Sequence, residues 1–412
     1  MIDAIIIGGG PAGLAAAVEL KKRNVDNILI IERENHLGGI LNQCIHDGFG
    51  LSKFKQSLTG PEYASLYIDQ VEKLNIKYLL NTMVLEINEN KEVTIASKKG
   101  IEKLQAKSIL LAMGCRERTA GMLTIPGERP AGVLTAGVAQ NYVNLHNIQV
   151  GKEIIILGSG DIGLIMARRL TLEGAHVKMV VEINSYPAGL PRNVLQCLRD
   201  YNIPLLLNKS ISQIHGKNRI EGISLEDLDE NGNIIPNSEK FYSCDTLVLS
   251  VGLIPENELS KMAGVLIDSK TNGPQIKSNY ETNVKGIFAA GNVLQVHDLV
   301  DKVSDEAERA ATSICKYLEE NEKENTELLN IKTDSNISYI LPQSLVANEE
   351  ATISFRVRRP MENVKIIVKQ GENEIKKISA RKAIPAEMIQ IKIPENVIKE
   401  SVDLEVFLCP KN

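Results

Sequence analysis

Gly8, Gly10, Gly13 and Glu32 recur 150 residues later as Gly158, Gly160, Gly163 and Glu182. In each copy the first glycine permits a tight strand-to-helix turn. The second lets backbone approach a pyrophosphate, and the third lets the helix pack close on its sheet. The acid follows the third glycine by 19 residues in both copies, where a carboxylate binds ribose hydroxyls. The helices open at Pro11-Ala12 and at Asp161-Ile162. Their first turns supply unpaired N–H donors and a positive dipole end to phosphates. One such motif is weak evidence. Two, each after an apolar strand, predict two bound dinucleotides and electron transfer between them. The alternative, a second copy decayed to a structural repeat, is opposed by retention of all four diagnostic positions.

Sulfur is the next candidate chemistry. The six cysteines, Cys44, Cys115, Cys197, Cys244, Cys315 and Cys409, include no C-x-x-C pair and no Cys/His group with metal-site spacing. No metal site and no disulfide framework are expected. Cys44 lies in a glycine-punctuated loop, His36 to Gly50, that also carries His46. Two readings of Cys44 stay open: a buried packing residue, or a single redox-active thiol passing through a sulfenic acid or mixed disulfide.

The elements that position these residues follow from periodicity. The first unit is predicted as strand 3–8, helix 11–23 and strand 27–32, followed by a helix near 61–75 and strands near 77–87 and 91–97. Residues 107–114 read as a buried strand ending in Gly114, and 119–150 as a connector. The second βαβ unit begins at Lys152, and its helix stops near Gly174, the equivalent of Asn24. A strand meander spans 205–250, two more strand-then-glycine segments end at Gly252 and Gly291, and a helix runs over 298–320. Residues 319–330 read as a linker. Beyond them, alternating stretches at 337–341, 352–357, 364–368, 375–378, 388–393 and 404–408 predict a small C-terminal all-β domain, sandwich-like, over 331–412. The fold class is therefore α/β, with two Rossmann-like dinucleotide-binding domains and this appendix.

Composition narrows the rest. A net charge of −5, no Trp and 4% aromatics give no sign of a nucleic-acid partner. No apolar run reaches membrane-span length, and the first strand leaves no room for a signal peptide, so a cytoplasmic location is expected.

The first fingerprint, Ala112-Met113-Gly114, Val251-Gly252-Leu253-Ile254-Pro255 and Gly286-Ile287-Phe288-Ala289-Ala290-Gly291-Asn292 together resemble the pyridine nucleotide–disulfide oxidoreductases over about residues 1–320. The resemblance implies a nicotinamide domain, 121–252, inserted into an FAD domain built from 1–120 and 253–325. It implies FAD at Gly8, Gly10, Pro11, Ala12, Gly13, Glu32, Gly39, Ala112, Gly114, Gly291, Asn292 and Val300. It implies the nicotinamide nucleotide at Gly158, Gly160, Asp161, Ile162, Gly163, Glu182 and Gly252. Asn292 stands where the family usually has Asp; its amide can still donate and accept. His46 and His297 fall in segments the family places near the flavin, as proton donors or as hydrogen-bonded structural residues. The helix after His297-Asp298 would point its N-terminus at the flavin pyrimidine edge. Arg116 and Arg118 suit either cofactor phosphates or a solvated turn. Family disulfide reductases carry a Cys pair that this chain lacks.

A narrower resemblance rests on Leu41 to Gly50, Gly114-Cys115-Arg116-Glu117-Arg118 and Val296 to Asp301. It points to FAD-dependent subunits accompanying anaerobic glycerol-3-phosphate dehydrogenase-like flavoproteins, similar also to flavin subunits of hydrogen cyanide synthase and opine oxidase. It implies a second flavoprotein dehydrogenase subunit and a small Cys-rich electron carrier as partners, in a homo- or hetero-oligomer. Glu182, followed by Ile183-Asn184-Ser185 with no basic pair, favours NAD(H) over NADP(H), because a carboxylate repels a 2′-phosphate. The expected activity is hydride transfer between NAD(H) and FAD. Rival expectations are a single-Cys NADH oxidase, peroxidase or disulfide reductase, and a structural nucleotide-binding subunit.

Overall fold

The computed structural model describes residues 1–319, 327–395, 397, 398 and 402–410. Most of the expected 319–330 linker lies outside the described residues. The chain divides into two compact units, Met1–Cys115 with Pro255–Asn412, and Arg116–Ile254.

In the first unit, Ile2–Ile7 lies between Ile28–Ile31 and Gly100–Leu111, all parallel, with Lys77–Leu79 and Ile287–Ala289 extending the sheet. The continuous apolar runs Ile5-Ile6-Ile7 and Ile109-Leu110-Leu111 are buried, as a parallel sheet covered on both faces requires. Gly100–Leu111 changes partner midway: its first half pairs antiparallel with Glu92–Ser97, which pairs with Met83–Ile87. Helix Pro11–Lys22 has Pro in its first turn, buries an alanine-rich face and gives way to Asn24 at φ 65°. Helix Gly60–Lys73 starts with a capping box: the Thr59 hydroxyl and the Glu62 carboxylate satisfy each other's backbone N–H.

The second unit repeats the plan. A five-stranded parallel sheet runs in the order Val133–Thr135, Thr246–Leu249, Glu153–Leu157, His176–Val181, Leu205–Leu206. A three-stranded antiparallel sheet of Lys209–His215, Gly222–Asp227 and Lys240–Ser243 matches the expected meander. Residues 119–150 are more than a connector. They hold the helix Ala136–His146, whose buried Ala136, Ala139, Gln140 and Val143 follow helical spacing. The Pro-Gly segments just before it masked that pattern.

After the helix Val300–Glu319, the described residues are strands: a five-stranded sheet and the three-stranded sheet Ile337–Leu341, Ala351–Val357, Ile389–Ile393. They share a core around Ile353, Phe355, Val368 and Leu404 and belong to the first compact unit. No helix among the described residues is long and apolar enough to cross a membrane.

Candidate dinucleotide sites

In the first turn Gly8 has φ +109°, and a Cβ there would sit 2.4 Å from the Ala112 carbonyl oxygen. A Cβ on Gly13 would sit 1.9 Å from Gly8 O, so helix and strand touch backbone to backbone. Gly10 is different, because a Cβ there would meet only Gly39 Cα, at 3.9 Å. Gly39 itself lies against Gly10, and Gly291 against Ala12, where an added Cβ would be 2.8 Å from the Ala12 methyl. The fold thus gathers Gly8, Gly10, Pro11, Ala12, Gly13, Gly39, Ala112 and Gly291 around one helix N-terminus. The open space at Gly10 fits a pyrophosphate. Gly114, at φ +74°, accepts Glu256 N–H through its carbonyl and closes the same end of the sheet.

Glu32 is buried. Its Oε2 accepts Gly9 N–H at 2.7 Å and its Oε1 accepts Glu34 N–H at 2.9 Å. A carboxylate has about four lone-pair sites, so capacity remains for ribose hydroxyls. Beyond it opens a shallow cleft of about 460 Å³ lined by Arg33, Asn81, Met83, Ser97 and Lys98. Its lining comes from segments far apart in sequence, and no motif announces it.

The second turn copies the first. Gly158 has φ +96°, and a Cβ on Gly163 would be 2.7 Å from Gly158 O. Gly160 is open, with Ser250 Oγ 3.6 Å from an added Cβ. The acid differs. Glu182 accepts Ser159 N–H and Oγ–H on one oxygen, and Asn184 N–H and Nδ2–H on the other. Four donors saturate it, so a ribose hydroxyl must displace one. Asp161 accepts Leu190 N–H at 2.8 Å and Asn193 Nδ2–H at 2.6 Å, which ties the start of helix Pro191–Cys197 to the turn. The Ile162 side chain packs on the core, leaving its backbone for the site. Gly252, at φ +103°, accepts Arg118 N–H. Ser159 and Asn184 were missed from sequence; a Ser in place of Gly9's equivalent was the available signal.

Around Gly291 the centre is Glu306, a fully buried carboxylate. It accepts Gly291 N–H at 2.8 Å and Gln295 Nε2–H at 2.9 Å, and its Oε2 lies 3.3 Å from His297 Nε2. Burial pushes its carboxyl up, but His297 and these two donors outweigh burial and hold it below its ordinary range. The His297 backbone N–H and Nδ1 face Asn292 Oδ1 at 3.1 and 3.2 Å, while Asn292 Nδ2 points to Cys115 Sγ at 3.6 Å. The His297 side chain is only 1% exposed. Helix Val300–Glu319 begins just beyond. In its first turn Asp301 accepts the N–H groups of Gly50, Ser52 and Lys53 and the Ser52 hydroxyl, drawing in the loop after Cys44. That clamp was also missed; it joins segments some 250 residues apart.

Cys44 Sγ donates to Ile40 O at 3.3 Å, and burial pushes its thiol up to about 12. His46 packs on the Phe49 ring at 4.9 Å. Among the described residues no group of three His, Cys, Asp or Glu is placed to hold a metal ion.

The pyridine nucleotide-disulphide oxidoreductase family model matches residues 2–313, spanning both turns and the Gly291 segment. The chain belongs to this family. Thioredoxin reductase of Bacillus subtilis (strain 168) is 27% identical over 77% of this chain and 95% of its own length. The ferredoxin–NADP reductase of Picrophilus torridus is 23% identical over 71% of this chain and 86% of its own. In fold the chain is similar to T. acidophilum thioredoxin reductase, with a TM-score of 0.62, 23% identity, and coverage of 76% of this chain and 97% of that one. It is equally similar to the bacillithiol disulfide reductase of Bacillus cereus, with a TM-score of 0.62, 20% identity, and coverage of 76% and 99%. This pyridine nucleotide-disulphide oxidoreductase is thus a mixed α/β enzyme of Rossmann type, a flavoprotein whose cofactors are FAD and a pyridine nucleotide. Thioredoxin reductases stand among these relatives, rather than the glycerol-3-phosphate dehydrogenase-like subunits to which the narrower resemblance pointed.

Proposed function

We propose that this oxidoreductase moves a hydride between NAD(H), held at the second turn, and FAD, held at the first, and exchanges electrons with a partner protein. FAD, when bound, supplies the redox chemistry. The chain supplies the two phosphate cradles, the ribose-binding Glu32 and the helix N-terminus at Val300. The observation that carries the reading is Cys44. Burial pushes its thiol up, which disfavours the thiolate, the reactive form. The sequence also holds no C-x-x-C, the commonest redox dithiol motif. The narrower kinship belongs to this proposal, with its second flavoprotein subunit, its small Cys-rich carrier and a cytoplasmic oligomer of these parts. A second reading, single-Cys disulfide reduction, is favoured by the names of two relatives, thioredoxin reductase and bacillithiol disulfide reductase.

Anaerobic NADH titration of the Cys44→Ser variant separates them. Flavin bleaching and dye reduction are expected to stay within about twofold of the parent. Selective loss of disulfide or peroxide turnover in that variant would establish the single-Cys reading instead. A flavin that neither NADH nor NADPH bleaches would leave only the structural-subunit role.

Nucleotide choice gives a further test. NADH is expected to reduce the flavin at least about tenfold faster than NADPH, because the Glu182 charge opposes a 2′-phosphate. Glu182→Gln removes that charge while keeping the side chain's size, and should narrow the ratio. Equal rates with the unmutated protein would reject the assignment of NAD(H).

A further inference from the structure

Residues 314–412 lie beyond the family match, yet the strands there belong to the same compact unit as the first dinucleotide turn. Their contact with it is polar and specific. Arg356, in strand Ala351–Val357, donates from Nη1 to the Pro385 and Ala386 carbonyls and from Nε to Tyr339 OH. Its Nη2 reaches out of these strands to the Val296 carbonyl at 3.1 Å. Two residues further on, Asp298 accepts Lys302 Nζ at 3.0 Å, and the same Nζ donates to Met388 O at 2.9 Å. The C-terminal strands therefore grip the chain on both sides of His297.

His297 holds Asn292 Oδ1, Asn292 follows Gly291, and Gly291 rests on Ala12 of the first turn. A contiguous set of contacts runs from Arg356 through Val296, His297 and Asn292 to Ala12. We propose that the C-terminal strands are a brace that holds the Gly291–Asp298 segment against the FAD turn, and that Arg356 is its positioning residue. Arginine suits this task because its planar fork can serve several carbonyls at once, which one ammonium cannot do in that geometry. The inference rests on the proposed placing of FAD at the first turn.

Hydrogen exchange by mass spectrometry and FAD release kinetics, both on the full holoprotein, test it. Arg356→Ala should speed exchange at residues 296–302 and speed FAD release by roughly tenfold or more, the worth of one charge-assisted hydrogen bond. Arg356→Lys should recover only part of either effect. Lys332→Ala, which removes an exposed ion pair with Asp403 in the same strands, should change neither. Should Arg356→Ala fail to fold, Lys302→Met, which loses both the bond to Met388 O and the ion pair with Asp298 and keeps the stem, should give the same signature more weakly. Unchanged exchange at 296–302 overturns the brace. Faster exchange with unchanged FAD release overturns Arg356 as a positioning residue. If FAD binding ignores Gly10→Val, the cofactor placement falls instead, while localised exchange would still uphold the brace.

Discussion

Gly10→Val is expected to give a folded protein that no longer keeps FAD, whereas Gly160→Val is expected to stay yellow and lose reduction by NADH. The structure makes these the clean sites. An added Cβ finds nothing nearer than 3.9 Å at Gly10 or 3.6 Å at Gly160, so the new side chain fills the cradle and spares the fold. The other glycines of each motif cannot serve. At Gly8, Gly13 and Gly158 the added atom would lie within 2.4 Å of a carbonyl oxygen, and misfolding would hide any effect on binding. A branched side chain in the pyrophosphate's place should weaken each nucleotide by about 100-fold or more, about 2.7 kcal/mol. The check is the absorbance of the purified variants, the nucleotide released on denaturation, and anaerobic titration with NADH. Release of FMN alone would reject FAD as the flavin, and loss of FAD in both variants with NADH binding intact would reject the assignment of the two turns.

Glu306→Ala is expected to destabilise the first unit by about 3–5 kcal/mol, the cost of leaving a buried charged or polar group without its partner. It strands the Gly291 N–H and the Gln295 amide and takes the carboxylate away from His297. Glu306→Gln should lose less, because it keeps the size and one acceptor oxygen. The pH dependence has a definite sign. The folded-state carboxyl is held below its ordinary 4.5, so its stabilisation is complete above that value and fades as pH falls through the lower, folded value. Urea unfolding of the parent and Glu306→Gln should therefore give a gap that is constant near neutrality and shrinks in acid. A gap that stays flat down to pH 3 would show that folding does not lower the Glu306 carboxyl, and a gap that widens toward acid would show that it is neutral in the fold.

Much of the architecture was legible along the chain. The apolar runs at Ile5–Ile7 and Ile154–Ile156, the left-handed stops at Asn24 and Gly174, and most C-terminal strands fall where periodicity and turn chemistry place them. The helix Ala136–His146 was lost behind Pro126-Gly127 and Pro130-Ala131-Gly132. Strands Leu328–Thr333 and Ser344–Val346 were lost because they are short and charged or Pro-flanked.

By itself the sequence determined that there are two dinucleotide turns, where each acid follows, and that no C-x-x-C pair is present. These are matters of residue type and short spacing, governed by local sterics: only glycine tolerates those carbonyl contacts and positive φ angles. The tertiary structure alone decided which polar groups are already satisfied. It gave Glu182 four donors and left Glu32 with two, although the two acids hold identical places in their motifs. It half-buried Cys44 with its thiol on the Ile40 carbonyl, set His297 between Asn292 and Glu306, and brought Asp301 to the loop after Cys44. Desolvation and hydrogen-bond partnership depend on segments that meet only when the chain folds, so no local spacing carries them.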